Sequence, residues 1–397
     1  MNNTITTWLE ILFWLSLFLV FYTHLGYGIL LYMLVKLKEL FVKPVRRQLP
    51  PDKRLPDVTL FITAFNEEEV VDEKMRNCLG LDYPADKLHI VWTTDGSNDS
   101  TNQRLEDWPQ ATVHFQPLRQ GKTAAMTRGM MLVDTPLVVF TDANTMLNPE
   151  AVTEIVRCFE DPEVGCVAGE KRVAGTGDTG AAATEGIYWK YESKLKELDD
   201  RLYSAVGAAG ELFAVRRELW QTLREDTLLD DFVCSMLIAA QGYRIAYCKG
   251  AYALETPSAD MGEEGKRKKR IAAGGLQSVW RLRKLLNPFR YGVLWFQYVS
   301  HRVLRWTLTP VVLAALLPLN VALLWSGHRA LYAAALALQC AFYLAALAGW
   351  ALERGGHRNR LLFIPYYFLF MNLNVFRGAS YLATHRGKGA WEKARRA

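Results

Sequence analysis

The most pointed chemistry in this 397-residue sequence lies in two acidic blocks. In VVFTDANTM, residues 138–146, Asp142 and Asn144 follow an apolar strand-like run, and two-residue alternation aims both side chains the same way. Neighbouring oxygen donors suit Mg²⁺ or Mn²⁺, although an Asx-type turn uses the same residues. In LLDDFVCSMLIAAQGYR, Asp230 and Asp231 open a segment whose Val233, Met236, Leu237 and Ala240 form an apolar helical stripe ending at Gly242. Carboxylates in a first helical turn cap the helix and complement its dipole. A carboxylate in that place also suits general-base work.

Three further blocks carry charge at turns. TDGSNDS, residues 94–100, ends a strand with Asp95, which suits a hydrogen bond to a nucleoside, while turn chemistry alone accounts for the residues that follow. GKT at 121–123 is not a phosphate loop of the Walker type, because position 116 is Gln where a glycine is required. That excludes ATP hydrolysis by such a loop and leaves Lys122 at the start of a helix over 123–133, placed to hold a phosphate or simply solvated. GKRKKR at 265–270 attracts lipid phosphates or, more sharply, neutralises a diphosphate.

These residues need a scaffold, and the sequence supplies one. VTLFITA (58–64), KLHIVWTT (87–94), ATVHF (111–115) and PLVVFTDA (136–143) read as strands with helical stretches between them, which predicts a parallel α/β sheet. Asn66 and Glu67, Asp95 to Ser97, and Asp142 to Asn144 then fall just after strands one, two and four, at the carboxyl edge where open sheets bind ligands.

Apolar runs flank this unit. Residues 8–35 are long enough to cross a bilayer. A cleaved signal peptide is the rival reading, but MNNTITT has no Lys or Arg. Lys36, Lys38, Lys43, Arg46 and Arg47 follow, which puts the middle of the chain in the cytoplasm by the positive-inside rule. Residues 307–325 and 329–350 read as a hairpin of membrane helices. Residues 361–383 carry Pro365, Asn372, Asn374 and Arg377 and read as a third crossing that conflicts with the basic tail, or as a re-entrant or protein-buried segment. The aromatic and basic stretch 277–306 reads as an interfacial belt on membrane lipids. The expected organisation is a membrane helix at 1–36, a cytoplasmic domain at 37–276, the belt at 277–306, membrane helices at 307–384 and a basic tail at 385–397.

Half of the residues are hydrophobic, and Lys+Arg 47 against Asp+Glu 41 leaves +6, too little to argue for nucleic acid. The six cysteines have neither zinc spacing nor the pattern of a disulfide framework.

Taken in order, VTLFITAFNEEE, HIVWTTDGSNDST, GKTAAMTRGM, VVFTDANTM, GAAGELFAVRREL, LLDDFVCSMLIAAQGYR and KRKKRIAAGG resemble membrane-embedded family 2 glycosyltransferases, over roughly residues 55–280. The flanking helices resemble the layout of bacterial poly-N-acetylglucosamine, hyaluronan and cellulose synthases. The resemblance implies a GT-A fold, a nucleotide-sugar donor and inversion at the anomeric carbon; a UDP-sugar is the expected donor, a glycan or lipid-linked molecule the expected acceptor, and an accessory subunit or second copy a further partner. It implies that Asp95 binds the nucleoside, with Asn66, Glu67, Lys122 and Arg267 also on the donor side. Asp142 stands for the first Asp of the metal motif and Asn144 for the second. Asp231 takes the base role of the TED motif, and Gly210, Glu211 and Asp230 fall on the acceptor side. Arg267 and Arg270 lie on the Q/RxxRW pattern, with Arg270 serving the leaving group. Ile271 replaces the Trp that helps hold the acceptor in chain-elongating relatives, which leaves single transfer to a polyprenyl or other lipid as the alternative. Asn144 and the altered TED block leave a third reading, a non-catalytic membrane sensor of the same fold.

Overall fold

The computed structural model describes residues 3–42, 55–173, 181–256, 261–326, 328–357 and 359–384. Lys43, Arg46, Arg47 and the basic tail 385–397 lie outside the described residues. The N-terminal apolar run folds as α1 (Asn3–Phe21) and α2 (Tyr27–Phe41), joined through a π turn at Tyr22–Gly26. The chain then alternates β1 (Val58–Ala64), α3 (Val71–Leu79), β2 (Leu88–Asp95), α4 (Thr101–Glu106), β3 (Ala111–Gln116), α5 (Lys122–Met130) and β4 (Leu137–Asp142). The strand positions are those expected from the apolar runs. β5 (Met146–Leu147), α6 (Ala151–Phe159), β6 (Val164–Val173), α7 (Ala181–Leu202), β7 (Leu212–Arg216), α8 (Asp230–Ala240) and β8 (Arg244–Glu255) complete an eight-stranded sheet ordered β3-β2-β1-β4-β7-β6-β8-β5.

The first four strands are parallel, as expected, but β7 runs antiparallel to both β4 and β6, and β5 antiparallel to β8. The sheet is therefore mixed. The connection from β6 to β7 is not a crossover of the kind that joins the first four strands: its helix α7 packs against α2, with Leu195 and Leu198 on Tyr27 and Leu31, and β7 enters in the opposite direction.

Alternation along each strand divides the core between the two sheet faces. Leu60, Ile62, Trp92 and Val139 pack with Met75 of α3 and Ile155 of α6. Phe61, Phe140 and Phe213 pack on the other face with Met126 of α5 and Phe232 of α8. This sandwich holds the carboxyl ends of β1, β2 and β4 level, with Thr63 paired to both Thr93 and Asp142.

After the sheet come α9 (Met261–Arg281), α10 (Pro288–Tyr298), α11 (Leu304–Trp306), α12 (Leu308–Leu323), α13 (Arg329–Arg354) and α14 (Arg360–Thr384). Among the described residues, Thr4–Phe41 and Arg329–Arg354 are long and apolar enough to cross a membrane, and Pro288–Trp306 with Leu308–Leu323 forms a pair bent by 51°. Phe13, Leu316, Leu323 and Tyr332 join α1, α12 and α13 into one apolar cluster. α14 runs along α9: a side chain on Gly378 would stand 2.6 Å from Ala273 N, Tyr367 donates to Glu264 at 3.0 Å, and Asn372 and Asn374 are buried. The aromatic stretch before α12 has two faces. Trp280 and Phe289 are exposed, whereas Leu285, Leu294 and Tyr298 belong to the core beneath α8.

A buried polar joint fastens the N-terminal apolar helix and the α10–α12 segment to the sheet domain. Asp199 of α7 accepts from Tyr27 and from Gln297 Nε2, and contacts His301 Nδ1 at 2.6 Å, all four residues being buried. Nearby, Arg302 pairs with Glu192 at 3.1 Å and Arg305 Nε donates to the Thr23 carbonyl at 2.9 Å. Removing one member of a buried charged network costs about 3–5 kcal/mol. Asp199→Ala is expected to lose stability on that scale, read as thermal unfolding in detergent, while Asp199→Asn, which keeps an acceptor for Tyr27, loses less.

Candidate active site

The site begins with a turn that one carboxylate holds in place. Asp95 Oδ2 accepts from the amides of Gln120 at 2.9 Å and Gly121 at 2.6 Å, and Oδ1 accepts from Arg128 Nη2 at 2.7 Å. Gly121 has φ 99 and ψ 162, a backbone state essentially reserved for glycine, and Lys122 follows as the first residue of α5. Both oxygens of Asp95, read from the sequence as a nucleoside contact, are thus occupied in presenting Lys122. Asn66, with φ 53, and Glu67 sit at the same sheet edge, stapled to the loop after β2: Asn66 Nδ2 donates to Asn98 Oδ1 at 2.7 Å and Glu67 N to Thr101 Oγ1 at 2.8 Å.

Lys122 Nζ donates to Asp142 Oδ1 at 2.7 Å and stands 3.9 Å from Asp230 Oδ2. A Cβ on Gly210 would lie 3.3 Å from the same ammonium and 3.4 Å from Asp231 Oδ2. The end of β4, the start of α5, the start of α8 and the loop before β7 therefore meet at one point, and the bare backbone of Gly210 keeps the gap between Lys122 and Asp231 open. Asp142 and Asn144 are half-buried while Thr141, Ala143 and Thr145 are buried, the alternation expected from the sequence.

Electrostatics sharpen the arrangement. Burial and the neighbouring Asp230 carboxylate push the Asp231 carboxyl up to about 7 against the opposing pull of Lys122. Burial draws the Lys122 ammonium down, but Asp142 and Asp230 outweigh it and hold Lys122 above the usual lysine range. A carboxyl half-ionised near neutrality is suited to take and return a proton.

Arg267 and Arg270 of α9 are not brought to this point. Arg267 is buried and faces Glu211 at 3.4 Å, Glu264 at 3.6 Å and Glu255 at 3.9 Å; Lys171 pairs with Glu211 and Glu255. Glu211 is held well below the ordinary carboxylate range, because Lys171 and Arg267 overcome the effect of its burial. Arg270 is exposed, since α9 turns Glu264, Arg267 and Lys268 inward and leaves position 270 outside. Sequence reasoning missed Lys74, whose buried ammonium donates to the Thr145 carbonyl at 2.6 Å and Thr141 Oγ1 at 3.0 Å beneath Asp142. Its signal was a lysine on the apolar stripe Val71, Lys74, Met75, Cys78 of α3.

The sequence pattern of the glycosyltransferase like family 2 matches residues 56–274, more than half of the chain and all of the residues just described. The chain belongs to this family. Among curated proteins, this glycosyltransferase is 25% identical over 239 residues to poly-beta-1,6-N-acetyl-D-glucosamine synthase of Staphylococcus aureus (strain COL), covering 57% of this chain and 56% of the relative. It is 26% identical over 207 residues to beta-monoglucosyldiacylglycerol synthase of Trichormus variabilis, covering 48% of this chain and 43% of that one. The chain thus spans about half the length of the curated relatives it matches. In structure it resembles the mannosyltransferase PcManGT from Pyrobaculum calidifontis, solved in complex with GDP-Man and Mn²⁺, with a TM-score of 0.71 at 22% identity over 94% of this chain and 99% of the other. That likeness shows the fold, a GT-A-like mixed α/β sheet joined to apolar helices. The family is one of glycosyltransferase enzymes.

Because hydrogen bonds to a charged group contribute about 1.5–3 kcal/mol, Asp95→Ala is expected to lower stability by at least about 2 kcal/mol and to loosen Lys122. Thermal unfolding and hydrogen exchange at Gln120 and Gly121 check this.

Proposed function

We propose that this glycosyltransferase is a metal-dependent, inverting enzyme that moves a sugar from a nucleotide-sugar, a UDP-sugar foremost, onto a growing polysaccharide at the cytoplasmic face of a membrane. The observation that carries it is the convergence of Asp142, Asp230 and Asp231 on the Lys122 ammonium at the carboxyl edge of the sheet, with Asp231 poised near neutrality. Among the described residues no three His, Cys, Asp or Glu side chains group to hold a metal unaided. Asp142 and Asn144 are a hard-oxygen pair, and small divalent cations commonly sit on one or two protein oxygens plus substrate phosphates, so the donor set fits Mg²⁺ or Mn²⁺ carried by a diphosphate. When bound, such an ion neutralises charge on the leaving nucleoside diphosphate.

The remaining chemistry belongs to the chain. The acceptor oxygen bonds to the anomeric carbon as the bond from that carbon to the diphosphate oxygen breaks, and the acceptor proton passes to the Asp231 carboxylate. Gly210 leaves the room in which that hydroxyl sits beside Asp231. Lys122 supplies the fixed positive charge next to the departing diphosphate, the task assigned from the sequence to Arg270, and Asp95 with Arg128 holds Lys122 there. The apolar helices Thr4–Phe41 and Arg329–Arg354, with the exposed Trp280 and Phe289, support seating at a membrane, and the cytoplasmic side rests on the lysines and arginines that follow the first apolar run.

Ile271, in place of an aromatic residue, and the likeness to a glycolipid synthase favour a second reading, one sugar transferred to a lipid-linked acceptor. Product mass separates the two: a ladder of oligomers supports the polymer, a single addition the lipid product.

Loss of a general base costs about 10²–10⁴ in rate, so Asp231→Asn is expected to lose that much nucleoside diphosphate release with a UDP-sugar and Mn²⁺. Because Asp231 acts ionised, wild-type kcat should rise with pH through about 7, and Asp230→Asn, which removes the negative neighbour that raises Asp231, should move this limb to lower pH. A limb unmoved by Asp230→Asn would take the base role away from Asp231.

A further inference from the structure

An ammonium group already sits on the carboxylate that would receive a metal. Lys122 Nζ lies at hydrogen-bond distance from Asp142 Oδ1, so a divalent ion on that carboxylate would stand beside an ammonium group and be repelled by it. Asp230 Oδ2, in a residue only 8% exposed, accepts no hydrogen bond and faces the same ammonium at 3.9 Å. Position 144 carries a neutral amide, so the protein offers a divalent ion one negative ligand where an Asp–Asp pair would offer two. A monovalent cation on a tether stands between Asp142 and Asp230, on the side of Gly210 opposite Asp231, and the neutral amide at 144 lowers the charge with which a free divalent ion could compete for the place.

We infer that Lys122 is the resident cation of the donor site: it keeps bare Mg²⁺ or Mn²⁺ off Asp142, and leaves Asp142 for the phosphates only when a nucleoside diphosphate brings the metal in. The negative charge of the diphosphate repays the ammonium for the carboxylate it gives up, and Asp142 is then free to ligate the incoming ion. Metal and nucleotide bind as one unit, and donor entry and metal entry become a single event. This rests on Asp142 being the metal-side residue of the proposed reaction.

The test is the electron paramagnetic resonance signal of free Mn²⁺, titrated with detergent-solubilised full-length protein, first with Mn²⁺ alone and then with UDP or GDP present. Wild type is expected to bind Mn²⁺ weakly alone and tightly with nucleotide. Lys122→Met, which removes the competing charge and keeps the apolar stem, is expected to bind Mn²⁺ alone at least about tenfold more tightly than wild type and to gain much less from nucleotide. Lys122→Ala should behave the same way, and thermal unfolding of both variants reports whether they are folded. Adding Asp142→Asn to Lys122→Met must abolish the gained binding. The inference is overturned if folded Lys122→Met binds Mn²⁺ alone no more tightly than wild type, or if wild type binds Mn²⁺ equally with and without nucleotide. If no variant binds Mn²⁺ with either nucleotide, it is the metal-dependent reading of Asp142 that fails, and the role of Lys122 falls with it.

Discussion

A single ammonium group answers three carboxylates at the edge of this sheet, and much of the structure can be understood as the means of holding it there. Left to themselves, Asp142, Asp230 and Asp231 would repel one another, and taking them out of water together is costly without a cation among them. Lys122 supplies that cation, and burial together with the remaining imbalance is visible as the raised proton affinity of Asp231. The same imbalance is useful, because a site short of positive charge is one that a metal-bearing diphosphate can enter.

Several layers of support converge on that point. Asp95 spends both oxygens on the turn before Lys122, Arg128 locks Asp95 from the side, and Lys74 pins Thr141 and Thr145 below Asp142. Thr141 in turn donates to the Glu211 carbonyl at 3.0 Å, tying the end of β4 to the segment that follows Gly210. Next to this site the knot of Lys171, Arg267 and Lys268 with Glu211, Glu255 and Glu264 balances its own charges, and a further polar joint centred on Asp199 and His301 couples α7 to the N-terminal helix. Buried ionic groups of this kind add little net stability but strongly penalise any arrangement that separates them. They fix how the membrane helices and the sheet domain meet.

The sequence made the local features legible. The four apolar runs, the helix beginning at Asp230 and the alternation that turns Asp142 and Asn144 to one side all follow from nearest-neighbour periodicity, which is a property of the chain itself. What it hid were relations between distant segments. The antiparallel entry of β7 depends on the path taken through α7. Arg128 as the partner of Asp95 could not be seen, because the pair is 33 residues apart and meets only once the turn at Gly121 has formed. Arg270 looked catalytic by its place in a pattern, yet α9 leaves it exposed while Arg267 is buried, and which of the two faces inward is set by what packs on α9. Lys74 was readable in principle, as a charge on an apolar stripe, since a buried lysine requires acceptors and so marks where the chain must supply them.

The most direct test of the account is a structure of the full-length protein with Mn²⁺ and UDP bound. The account predicts the metal on Asp142, the diphosphate beside Lys122 with the pair between Lys122 and Asp142 opened, and Asp231 facing the vacant acceptor side of Gly210. A nucleotide bound away from this cluster, with Lys122 still on Asp142, would contradict it.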